Sequence, residues 1–82
     1  MNVSNEQILE DIYLTKKEMN AYDYLRKGYE ILALLPENKG SQARKYYLEY
    51  AYYDNLMTEC FIFLDKLNVL REDRGIEMEE EI

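Results

Sequence analysis

The residues in this chain whose chemistry stands out are tyrosines. Tyr46-Tyr47-Leu48-Glu49-Tyr50-Ala51-Tyr52-Tyr53 places five of the nine tyrosines within eight positions. A tyrosine ring offers large contact area and a polar tip at low conformational cost, the physical basis of its enrichment in binding surfaces. Five rings so closely spaced cover more than one face of a helix and cannot all enter one core. Tyr46, Tyr50 and Tyr53 fall on the apolar period, whereas Tyr47 and Tyr52 fall off it and are the candidates for contact with a partner. Arg44 and Lys45, just ahead of the cluster, join them as candidates, because cations beside aromatic rings can hold phosphates and stack bases. The basic pairs Lys16-Lys17, Arg26-Lys27 and Arg44-Lys45 all have acidic residues within a turn or two, and the net charge is −7. A solvated surface is therefore the favoured reading of these pairs, and a nucleic-acid-binding module is the third choice of function.

Other chemistries find no support in the residue types. The chain has no histidine, which removes the commonest general base and zinc ligand and the Glu-x-x-His pattern of di-iron bundles. It carries no G-x-x-x-x-G-K-[ST] phosphate loop and no calcium loop. Carboxylates alone could hold magnesium if Glu-x-x-Glu pairs faced each other across helices, but that pattern is missing from both helix interiors. Glu77 and Glu80 have the spacing yet stand in an acidic end that reads as solvated, and the adjacent Glu10 and Asp11 point to different sides of a helix. Cys60 is the only cysteine, set between Met57 and Leu64, where burial would raise its thiol pKa and make it inert. No catalytic, cofactor-binding or metal-binding residue is assigned, and the chain is expected not to be an enzyme.

Two helices must position whatever acts. Ser4 is a good N-cap, with Gln7 three residues on to complete a capping box and Val3 placed to staple onto Ile8. Ile8, Ile12, Met19, Tyr22, Leu25, Tyr29 and Leu32 recur at three- and four-residue steps, with Leu9, Tyr13, Ile31 and Leu35 widening that face. Arg26-Lys27-Gly28 also reads as a helix C-terminus, but the apolar period continues beyond it, favouring a continuous or kinked first helix. Pro36-Glu37-Asn38-Lys39-Gly40 is turn chemistry, and Ser41 is the expected second N-cap. Ala43, Tyr46, Tyr50, Tyr53, Met57, Cys60, Leu64 and Leu67 then form an a/d seam, flanked by a stripe of Leu56, Phe63 and Leu70. Arg71 and Arg74 complement the helix end and Gly75 supplies its stop.

The reading is thus all-α: a helical hairpin over residues 1–75, with helices at about 4–35 and 42–74, and an acidic C-terminal tail at 76–82. A short connection makes the helices antiparallel neighbours. Their apolar faces are wider than one seam, so two hairpins are expected to pair into a four-helix bundle, with Tyr50, Tyr53, Met57, Cys60, Leu64 and Leu67 as dimer-seam candidates. A lone thiol and the lack of a twenty-residue apolar span suggest a reducing, cytoplasmic setting away from membranes.

Tyr47-Leu48-Glu49-Tyr50-Ala51-Tyr52-Tyr53 resembles the first helix of a tetratricopeptide repeat, with Leu48, Ala51 and Tyr52 in place and Glu49 where that motif has Gly; no second copy exists in the chain. Ser41-Gln42 resembles the helical-hairpin phosphatases of the sporulation-regulator type, whose pattern continues with Leu-Asp where Ala43-Arg44 stands here. Neither resemblance names a family. In size and charge the chain also resembles small acidic proteins of phages and mobile elements that block a basic partner. The expected function is protein–protein interaction, as a regulator or phage-type inhibitor of a host protein; the alternative is a structural subunit of a homo-oligomer. Expected partners are a second copy and an unidentified protein.

Overall fold

At Ser4 the chain turns into helix: the Ser4 hydroxyl accepts the Gln7 N–H at 3.1 Å from an extended backbone (φ −69°, ψ 156°), and α1 follows over Asn5–Leu34. The structure, a computed structural model, describes residues 3–77. Val3 packs against Ile8 and its neighbours, the staple expected of a residue just ahead of the cap. The second half of the capping box is not made. Gln7 Nε2 donates instead to Asp11 Oδ1 at 2.8 Å, one turn further along the helix.

Helix α1 continues through Gly28, the cost of a helical glycine, about 1 kcal/mol, being modest against a long run of helix bonds. It ends at Leu35, which is extended (φ −63°, ψ 134°) because Pro36 disfavours helical backbone in the residue before it. Asn38 closes the turn twice: its N–H donates to Leu35 O at 3.0 Å, and its Nδ2 donates to Leu32 O at 2.8 Å, satisfying a carbonyl left over by the helix end.

The second N-cap is Gly40 rather than Ser41. Gly40 adopts φ 59°, ψ −125°, and α2 runs Ser41–Asp73, so Ser41 already lies inside the first turn and makes no cap bond. A positive φ suits the residue without a Cβ, and the Gly40 carbonyl accepts the Arg44 N–H at 3.1 Å. At the far end Gly75 (φ 67°) follows the Arg74 cap. Its N–H reaches Glu72 O and the Ile76 N–H reaches Arg71 O, both at 3.0 Å, which is a Schellman motif. Ile76 folds back onto the core. The left-handed glycine turns the chain inward there; residues 78–82 of the expected tail, including Glu80, lie outside those described.

The two helices lie antiparallel in one layer, 52 Å long and 14 Å thick between Cα atoms. The radius of gyration is 17.1 Å, against about 12 Å for a compact domain of this length. Their interface changes character along its length. Where the termini meet, Ile8, Ile12 and Leu67 are buried, with Val3, Leu64, Leu70 and Ile76 packed around them. Toward the loop the aliphatic plug gives way to rings: Tyr53 stacks with Tyr22 at 6.2 Å and with Tyr29 at 5.8 Å, and Tyr29 meets Tyr46 at 6.2 Å. Arg26 ties the helices at mid-length, donating to Asp54 at 3.0 Å and to Asp23 at 2.6 Å, while Lys27 adds a contact to Asp23 at 2.8 Å.

Hydrogen bonds from Lys27 and Arg26 hold the Asp23 carboxyl below its ordinary range. Its contribution to stability is thus present above the usual carboxylate pKa and is lost as pH falls through the folded value; being solvent-accessible, it is small. The buried end carries more. Ile12→Ala, at a fully buried position, should lower the unfolding free energy by about 2 to 4 kcal/mol and the melting temperature by roughly 10 °C or more. Phe61→Ala, at a site 63% exposed, should stay within about 0.5 kcal/mol of the parent. Circular dichroism melts check both.

Candidate functional site

A layer of two helices has two flanks, and here they differ in chemistry. On one, Leu14, Ala21, Leu25, Gly28 and Leu32 follow one another along α1 at steps of seven, four, three and four, which places them in a line. Leu56 and Phe63 of α2 stand on the same side, sharing a groove with Thr15, Glu18 and Tyr22 of α1 and with Glu59 and Cys60 of α2. Further along, Leu25, Gly28 and Leu32 line a second depression between Tyr24 and Tyr29. The other flank holds the ion pairs: Asp23 and Asp54 stand two residues, about 200° of helix rotation, from Leu25 and Leu56. That flank also carries the exposed Phe61 and, near the loop, a hollow lined by Glu30, Ala33, Leu34, Tyr47 and Tyr50.

The apolar groove is acidic at its middle. Glu18 Oε2 lies 3.8 Å from the Cys60 sulfur, as acceptor of a weak S–H bond. Burial first, then the charges of Glu18 and Glu59, push the Cys60 thiol above its ordinary pKa. Tyr22, beside Glu18 on the α1 wall, is raised first by burial and then by Glu18. Among the described residues neither Glu18 nor Glu59 has an ion-pair partner. These two acids escape a reading of the sequence because charged residues are common there. The available signal is local: at three and four residues on either side stand Leu14, Thr15, Ala21 and Tyr22 for Glu18, and Asn55, Leu56, Ile62 and Phe63 for Glu59. Neither acid has a cation within reach along its own helix.

The expected partner residues are dispersed. Tyr47 (61% exposed) and Tyr52 (57% exposed) both stand off the seam, but five residues of helix separate them by about 140°, on different flanks. Tyr52 meets the edge of Tyr53 at 5.2 Å, and Tyr47 lies 5.8 Å from Tyr50. Arg44 and Lys45 are exposed at the loop end. The seam residues Tyr50, Tyr53, Met57, Cys60 and Leu64 are half-buried and Leu67 is buried; this row faces α1 of its own chain. Among the described residues no group of three His, Cys, Asp or Glu could hold a metal ion, and no described helix is long and apolar enough to cross a membrane.

Ring contacts sort the tyrosines by role. Tyr53→Ala removes the centre of the aromatic ladder and should approach the roughly 3 kcal/mol lower end seen for buried aromatics, with Tyr50→Ala smaller but measurable. Tyr47→Ala and Tyr52→Ala should stay within about 0.5 kcal/mol; thermal melts of the four single variants check the split. No protein-family model matches the chain, and neither a curated protein nor a solved structure does.

Proposed function

We propose that this chain is a non-enzymatic interaction module, acting as a small regulator or inhibitor by docking its exposed apolar surface on another protein. One observation carries the reading. Among the described residues three hydrophobic side chains are buried, whereas thirteen large ones remain exposed, and such a surplus at helical spacing marks an interaction surface. The lone Cys60 thiol suits a reducing compartment such as the cytoplasm.

A second reading, two copies pairing into a four-helix bundle as a structural subunit, draws support from the near-equal helices of 30 and 33 residues, which suit a symmetric assembly. Sedimentation equilibrium combined with a pull-down from the native lysate separates the two. A module of the first kind recovers one heterologous protein and loses it in the exposed-site variants Leu25→Asp and Phe63→Asp while helicity is kept. An assembly subunit sediments at twice the monomer mass and recovers itself. A monomer at micromolar concentration that captures nothing contradicts both.

A further inference from the structure

The flank that holds Leu14, Leu25, Leu56 and Phe63 has the form of a groove for a third helix. Along α1 this flank runs from Leu14 to Leu32, nineteen residues or about 27 Å at 1.5 Å per step, and takes in both depressions. Leu14, Leu25 and Phe63 are between 39% and 49% exposed, leaving apolar area for a visitor. At Gly28 an added Cβ would meet nothing within 4 Å, so the wall is open where an incoming helix would approach.

What fits there is decided by charge. Glu18 and Glu59 stand on the two walls within two residues of the midpoints of their helices. A second copy seated on this flank with closed twofold symmetry and full overlap would bring both pairs together, four carboxylates with no cation among them. Like charges gathered in a drying interface are strongly unfavourable. An incoming arginine or lysine would answer Glu18 and Glu59 at once, and the net charge of −7 would draw a basic partner from a distance.

We propose that this groove receives an amphipathic helix of a partner protein, with leucine-like residues along the groove and a basic residue at its middle, between Glu18 and Glu59. The proposal rests on the interaction-module reading and specifies its partner. The probe is a labelled eighteen-residue synthetic helix with leucines at a and d positions and two central arginines, compared with a sister peptide carrying glutamates in their place. Fluorescence anisotropy at low salt should show the arginine peptide binding at least tenfold more tightly. The double variant Glu18→Gln/Glu59→Gln, at exposed positions, should keep its helicity and lose that preference. Bound arginine peptide should slow alkylation of Cys60, which lies in the groove. Equal affinity for the two peptides, a preference that survives the double variant, or binding of neither overturns the proposal. So does a stable dimer dissolved by Phe63→Asp, which would seat a second copy on this flank. Equal affinity combined with loss of binding in Phe63→Asp removes the basic partner but leaves the interaction module standing.

Discussion

Two helices side by side can bury one stripe from each, and this chain has more apolar side chains than two stripes hold. The layer is 14 Å thick, so nothing lies above or below it to cover Leu25, Phe63 or the outward-facing Tyr24, Ile31, Ile62 and Val69, all of which are exposed. Hydrophobic burial drives folding in proportion to area removed from water, and here much of that area stays wet. The hairpin is therefore held by its best-packed end, where Ile8, Ile12 and Leu67 meet, and by local devices at each turn.

Tyrosines fill the remaining interface for a physical reason. Their rings reach across the gap and stack at 5.8 to 6.2 Å, while none of Tyr22, Tyr29, Tyr46 and Tyr53 is fully buried, so each hydroxyl can stay near water. Such a ladder tolerates solvent on both sides, as an aliphatic core of the same width would not. Arg26 works alongside it: two of its nitrogens are paired with Asp23 and Asp54, while Nε is buried without a hydrogen-bond partner. A stripe built this way leaves the flanks free to differ, one carrying ion pairs and the other an apolar groove with Glu18 and Glu59 at its centre.

Much of this architecture is legible in the residues. Helical spacing places Tyr46, Tyr53, Leu64 and Leu67 on the inner stripe, and Ser4, Pro36 and Gly75 punctuate the chain where the helices begin and end. Less visible are features that depend on competition between partners. Gln7 turns to Asp11 rather than back to Ser4, and Gly40 takes the cap because its backbone can adopt a conformation that leaves Ser41 inside the helix. Ile76 packs because the Gly75 turn aims it at the core, which a count of acidic neighbours does not reveal. Separation of Tyr47 from Tyr52 follows from helix rotation, but which flank each occupies needs the pairing of α1 with α2. The groove is the least legible element: its walls come from different helices, and Glu18 and Glu59 become notable only when seen opposite each other.

The isolated chain buries little surface when it folds, and the urea dependence of its unfolding free energy reports that surface directly. At a concentration where sedimentation shows a monomer, the slope should fall below about 1 kcal/mol per molar, the low edge for small proteins. A slope of about 1.5 kcal/mol per molar or more would mean that the monomer already closes a full core and would contradict this account of a thin, half-wet interface.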